Sequence, residues 1–149
     1  MITAMITTIE AARAADLPVV LALLADAALP TDGVAEHFGH FVVARERGEV
    51  VGAAGLEVYG DAALLRSVVV DPAWRKKHLG EALVRASLAN ARERRIGTIY
   101  LLTESAADFF ARFGFERIAQ AEIDPAVVAG SAEFRIPRCD SAARMRRRL

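Results

Sequence analysis

Six consecutive residues, Arg75-Lys76-Lys77-His78-Leu79-Gly80, bring three cations, an imidazole and a glycine to the point where a strand gives way to a helix. The β-branched run Val68-Val69-Val70 reads as a buried strand. Asp71-Pro72 ends it, because proline has no N–H and a fixed φ. An amphipathic helix begins after the basic loop. The first N–H groups of a helix are unpaired and point outward, and the helix dipole favours negative charge there. Arg75, Lys76 and Lys77 add positive charge to that end, so the stretch suits an anion, and its natural ligand is a pyrophosphate. A second group of residues suits polar and acid–base work. Glu57 and Tyr59 alternate with Leu56 and Val58 and therefore share one strand face. Arg66 lies two residues before Val68, on the same face, where a guanidinium suits a substrate carboxylate or another oxyanion. Ser67 is its neighbour, and Thr103 and Glu104 stand at the end of a later strand, where α/β sites gather polar groups. Each of these positions also suits a solvated or structural role.

The elements that must place these residues follow from the same sequence. A weak strand over 6–11 precedes a helix capped by Asp16, with Pro18 in its first turn, ending near Ala28. Phe38–Arg45, Val50–Tyr59 and Ala62–Val70 read as strands joined by the turns Arg47-Gly48-Glu49 and Gly60-Asp61. Connections this short require antiparallel neighbours. Leu79, Ala82, Leu83 and Ala86 mark one face of the helix after the basic loop, and Thr98–Thr103 is a second buried strand. The strand–helix–strand unit from Val68 to Leu102 is therefore expected as a right-handed parallel crossover. Ala106, Phe109, Phe110 and Phe113 fall at helical spacing, with Gly114 as the residue that stops the helix. Phe115–Ala119 and Ala132–Ile136 read as final strands, and Ser141–Arg148 as a short closing helix.

The bulk numbers bound the partners. A chain of 149 residues predicts one domain, and 54% hydrophobic residues support a core. Nineteen Lys and Arg against nineteen Asp and Glu give zero formal charge, which argues against a general nucleic-acid binder. The run Arg146-Arg147-Arg148 reads as a solvated end. Cys139 is the single cysteine, so no internal disulfide forms, and one thiol is a poor chelator of a thiophilic element such as trivalent arsenic. No apolar run approaches the ~20 residues that span a bilayer, and no signal peptide is visible, so a cytoplasmic protein without a membrane partner is expected.

Antiparallel strands, basic loop, long helix, strand, short aromatic helix and Gly-Phe, in that order, resemble the GNAT family of acyl-CoA-dependent N-acetyltransferases. The family's loop pattern, Arg/Gln-x-x-Gly-x-Gly/Ala, falls on Arg75–Gly80, with His78 at the usual first glycine. Its aromatic-x-x-Leu-Gly-Phe landmark falls on Phe110-Ala111-Arg112-Phe113-Gly114-Phe115. Gly55–Gly60, Ala63–Ser67, Tyr100–Thr103 and the tail from Glu133-Phe134 to Cys139-Asp140-Ser141-Ala142 are similar to the subgroup labelled arsenic-resistance N-acetyltransferases.

The resemblance implies an α+β fold (an α/β three-layer arrangement) in one domain over 1–149, with a mixed, mostly antiparallel sheet flanked by helices. It implies acetyl-CoA as donor and a small-molecule amine as acceptor, with a homodimer supported by the final strands. The pyrophosphate would rest on the N–H groups of Lys76, Lys77, His78, Leu79 and Gly80. Pantetheine would pair with Val68 and Val70 like an added strand, Val69 or Val70 would offer an N–H to the thioester carbonyl, and Phe110 would lie near the acyl end. Two family groups are replaced. Leu64 stands where a strand Glu often acts as base, and Phe110 where a Tyr often protonates the thiolate. Acid–base roles then fall to Glu57, Arg66, Tyr59 and Ser67. The alternative is a catalytically silent CoA-binding or regulatory module on the same fold.

Overall fold

A computed structural model describes residues 7–75 and 78–149. In chain order the elements are β1 (Thr7–Ala11), α1 (Leu17–Asp26), α2 (Val34–His37), β2 (Phe41–Glu46), β3 (Glu49–Tyr59) and β4 (Ala62–Val70). There follow α3 (Leu79–Glu93), β5 (Thr98–Thr103), α4 (Ala107–Ala111), β6 (Glu116–Ile118), α5 (Pro125–Gly130) and β7 (Ala143–Arg148). The strands form one mixed sheet in the order β1-β2-β3-β4-β5-β7-β6. The chain divides into two compact units. One joins Ser67–Ala89 to the residues up to Gly55, and the other joins Leu56–Arg66 to Asn90–Leu149.

In the first unit β1 and β3 flank β2, both antiparallel to it. Phe41–Ala44 is buried on both faces, which is why it reads as a continuous apolar run rather than an alternation. Phe41 and Val43 pack with Val20 and Leu24 of α1, whereas Val42 and Ala44 pack with Leu79 and Leu83 of α3. Each such side chain contributes about 1.5–3 kcal/mol relative to exposure.

Asp16 was expected to cap α1, and the structure gives it another task. Its side chain makes no cap bond to the helix, and its carboxylate instead meets the Arg45 guanidinium at 2.8 Å. The Arg45 hydrogen bonds, with help from the Arg13 N–H, hold the Asp16 carboxyl below its usual range although burial opposes them. A carboxylate depressed in the folded state stabilises above its unfolded pKa of about 3.9, and that contribution is lost as pH falls through the folded value. Urea unfolding at pH 7 and pH 3 is expected to show a smaller pH-dependent loss in Arg45→Met than in wild type. Equal losses would remove this pair from the acid response.

In the second unit Ala62–Leu64 of β4 pair in parallel with Thr98–Tyr100 of β5, the crossover expected from the sequence. Along its whole length β5 pairs with β7 in antiparallel fashion, and β6 pairs with the other edge of β7. Ile123 and Val127 pack against Ala62, Leu64 and Tyr100. Two readings are corrected here. The segment expected as a closing helix, Ser141–Arg148, supplies β7, because two long-range ladders outweigh its local pattern. Ala132–Ile136 is not a strand. Ala132–Arg135 is a 3₁₀ turn capped by Ser131, whose hydroxyl accepts the Glu133 N–H at 3.3 Å. Gly114 ends the aromatic helix region at φ +85°, a left-handed position that favours glycine. Among the described residues no helix is long and apolar enough to cross a membrane.

Candidate active site

The polar residues of the second unit assemble around Arg66. Its side chain has no exposure, and Nη1 donates to Glu57 Oε2 at 2.8 Å. Nη2 lies 3.6 Å from Glu133 Oε2. Two buried carboxylates of the chain therefore flank this guanidinium. Tyr59 shares the strand face of Glu57, as the alternation predicts, and its hydroxyl donates to Glu57 Oε1 at 2.5 Å. Burial, then the bond to Glu57 and its charge, pushes the Tyr59 phenol well above the ordinary tyrosine range. The Ser131 hydroxyl bond and the Arg66 charge pull the other way. A phenol held that high is a poor acid toward a thiolate.

Ser131 and Gly130 were not singled out in the sequence, and Glu133 entered it only as the start of the tail similar to the arsenic-resistance subgroup. Their local signal is a glycine that ends a helix followed by a serine two residues before a glutamate, the pattern of a capped turn. Gly130 is needed for space, since a Cβ there would sit 2.4 Å from Tyr59 Cε1. The Thr103 hydroxyl oxygen accepts the Ala106 N–H at 2.9 Å at the start of α4, and Glu104 is exposed. Cys139 is buried, which raises its thiol pKa, and the Glu133 and Glu104 charges add to the rise.

The two positions that carry acid–base groups in the resembling family are apolar core here. Leu64 is fully buried against Tyr100, Ile123 and Val127. Phe110 is buried edge-on to Phe109 and Phe115.

In the first unit Ser67 is buried at φ +61° within β4, a left-handed conformation that is strained for a non-glycine residue. A left-handed residue inside a strand is one of the backbone states that bulges use. Val69 packs on the α1 side of the sheet, and Val68 and Val70 pack on the α3 side. Asp71 ends the strand by donating its N–H to Val51 O, and its carboxylate accepts the Ala73 N–H. Arg75 is exposed, with Nε 3.4 Å from Val70 O. Lys76 and Lys77 lie outside the described residues. His78 is exposed at φ +60°, where glycine is favoured, and its Nδ1 lies 3.8 Å from Glu81 Oε1. The Leu79 side chain is buried in the core with Leu83.

A mixed sheet with a parallel β4–β5 pair, a left-handed residue inside β4 and the long helix α3 after it fit an acyltransferase fold. The family model described as Acetyltransferase (GNAT) domain matches residues 37–117. The chain belongs to that family. It is 39% identical over 72 residues to an amino-acid acetyltransferase of Mycobacterium tuberculosis (strain ATCC 25618 / H37Rv), covering 48% of this chain and 41% of that protein. The uncharacterized protein YwlB of Bacillus subtilis (strain 168) is 31% identical over 130 residues, 85% of this chain and 86% of that one. Among solved structures, Rv2747 from Mycobacterium tuberculosis in complex with CoA and NLQ superposes with a TM-score of 0.82 at 27% identity, over 95% of this chain and 99% of that one. N-acetylglutamate synthase from Neisseria gonorrhoeae, complexed with coenzyme A and N-acetyl-glutamate, gives 0.82 at 20% identity, over 99% of this chain and 36% of that one, and shows the fold alone.

Proposed function

We propose that this chain transfers acetyl from acetyl-CoA to the amine of a small molecule. The observation that carries the reading is the left-handed Ser67 within β4, immediately before Val68–Val70. A bulge there leaves strand peptide groups to face a ligand, and Val69 or Val70 then offers the N–H that polarises a thioester carbonyl. Val68 and Val70 lie beyond the last residue pair of the β4–β5 ladder, Leu64 with Tyr100, which suits pairing with an amide-rich pantetheine arm. The basic loop fits a pyrophosphate by its charge, its left-handed His78 and the 15-residue helix that follows. In this reading Arg75, Lys76, Lys77, His78, Leu79 and Gly80 hold the phosphates, and Phe110 forms part of the wall near the acyl end. Acetyl-CoA supplies the activated acyl group and the thiolate leaving group. Residues 1–149 act as one catalytic domain.

The name of the mycobacterial relative supports the α-amine of an amino acid as acceptor. Resistance to arsenic or another toxin is the finer reading, supported by the similarity of the segments around Glu57, Arg66 and Glu133. An organoarsenical amino acid therefore joins L-glutamate and L-glutamine in the acceptor panel. The buried Leu64 and Phe110 favour a second reading, a CoA-binding module that performs no transfer.

Calorimetric titration with acetyl-CoA tests the donor assignment, and thiol release with the three amines separates the two readings. Wild type is expected to bind acetyl-CoA and to release thiol with at least one amine. No binding at millimolar ligand would end the proposal, and binding without release would favour the silent module. Arg75→Ala should weaken binding roughly two- to fivefold, the effect of about 0.5–1 kcal/mol from an exposed phosphate contact. An unchanged affinity would remove Arg75 from the phosphate site. His78→Gly should bind at least as tightly, since glycine takes φ +60° without strain.

A further inference from the structure

We propose that copies of this chain associate, the acidic and apolar face of α1 and α2 on one copy docking on an arginine-rich end of a second copy. Each face lies wholly within one compact unit, and the contact joins separate copies. The association is independent of acetyl transfer.

α1 lacks the charged outer face expected of a surface helix. Its exposed residues before Asp26 are Pro18, Val19, Ala22 and Ala25, all apolar, and Val19 keeps 39% of its surface open. A helix with one face in a core ordinarily turns charged residues to water on the other. The charges nearby are of one sign. No lysine or arginine occurs between Arg13 and Arg45, whereas Asp26 and Glu36 are exposed and make no ion pair among the described residues. Asp26 stands in the last turn of α1, the end at which the helix dipole opposes an anion. Val34 of α2 packs with Val20 and Leu24 of α1, so the two helices lie together.

The other face has the opposite character. The Leu149 N–H donates to Gly97 O at 2.9 Å and Arg148 pairs with Thr98, so the end of β7 lies against the turn that follows α3. Arg146 and Arg148 therefore share one end of the unit with Arg92, Arg94 and Arg95. Arg146 is half-buried and the other four are exposed. None of the five makes an ion pair or a side-chain hydrogen bond among the described residues, and the nearby carboxylates of Asp61, Glu93 and Glu116 make none with them. The α3 dipole favours cations at its own end, but it does not account for those that β7 adds. Like charges gathered in this way repel one another and cost the isolated chain stability, and an acidic surface removes that cost. Guanidinium groups are also the cations best shaped to grip carboxylates.

Three observations favour a second copy over another occupant. The signs match, arginines on one face and unpaired carboxylates on the other. The exposed large hydrophobic side chains among the described residues are Val19 and Leu149, one on each face. The formal charge of the chain is zero, so copies approach without overall repulsion. Pairing through the sheet edge is disfavoured, because β6 is three residues long and carries Glu116 and Arg117. Two different faces meet in the proposed contact, so two copies close into a pair or further copies add in a row. Any mass above that of the monomer reports it.

Sedimentation velocity of the full chain at increasing concentration measures that mass. Wild type should associate at about 0.1 M salt and dissociate at about 1 M, where the screening length falls from about 10 Å to about 3 Å. Arg94→Glu with Arg148→Glu, or Asp26→Arg with Glu36→Arg, should weaken self-association about tenfold or more. Val19→Asn should weaken it while the salt dependence is retained. All five side chains are exposed, and circular dichroism should show an unchanged fold. An equimolar mixture of the two doubly reversed variants should regain wild-type association, because each presents complementary faces to the other while its own two faces repel. Wild type that stays monomeric at millimolar concentration in low salt overturns the contact. Binding of a short glutamate peptide would then assign the arginine-rich end to an acidic partner of another kind. Self-association that survives both reversals, or a mixture that stays dissociated, overturns it as well, since other surfaces are then in contact.

Discussion

Replacing Arg66 by methionine is expected to cost the fold about 3–5 kcal/mol, the range for removing one partner of a buried ion pair. For a chain of this size that is a fall in Tm on the order of 10 °C. The reason is the surroundings rather than the bond count. Glu57 is fully buried and Glu133 nearly so, and both face the same guanidinium. Without it two buried carboxylates lose the guanidinium that both of them face. Methionine fills similar volume, so little of the loss comes from a cavity. Adding Glu57→Gln to Arg66→Met should recover part of the loss, because a neutral amide is cheaper to leave there than a charge. Urea unfolding of the single and double variants measures this. A single-variant loss below about 1 kcal/mol would mean that water or a rearranged backbone replaces the guanidinium, and the ion cluster would not be a structural centre.

How much of this was legible in the sequence depends on the range of the interaction. The ends of β4 and β5 follow from short β-branched or apolar runs bounded by Asp-Pro, Gly and polar residues, all local signals. The shared face of Glu57 and Tyr59 follows from a period of two, and the structure joins them by a hydrogen bond. The second carboxylate was out of reach, because Glu133 is 67 positions from Arg66 and its segment reads locally as a strand. The misreading of Ala143–Arg148 has the same origin. A run of arginines around a buried Met145 fits a helix as well as a strand, and only the ladders to β5 and β6 decide. Ser67 shows the converse. Nothing in a serine before three valines announces a left-handed backbone, which only the structure shows. The replacements at Leu64 and Phe110 were visible as residue types, but only their burial shows that they have been absorbed into the core.

Gly55→Ala is expected to destabilise the first unit by about 1–3 kcal/mol, the cost of an overpacked core. Gly55 lies directly opposite Phe41 in the β2–β3 ladder, and a Cβ added there would meet Phe41 Cε1 at 2.1 Å and Cδ1 at 2.3 Å. That separation is too short for a small adjustment, so the ring or the strand must move. The ring has little room, since Phe41 is 2% exposed and its centroid lies 5.2 Å from that of Phe38. Phe41→Leu alone should also destabilise, because it leaves space above a bare glycine backbone. Combined, the two changes should cost less than their sum by about 1 kcal/mol or more, since the methyl then occupies space that the ring has left. Denaturant unfolding of all four proteins gives that coupling directly. Additivity to within about 0.5 kcal/mol would show that β3 yields and the ring does not. In that event Gly55 would be there for the backbone path of the strand. Coupling of the expected sign would make it half of a cross-strand glycine–aromatic pair that keeps β2 and β3 in register, where a slip of one residue would turn every side chain of the strand to the opposite face.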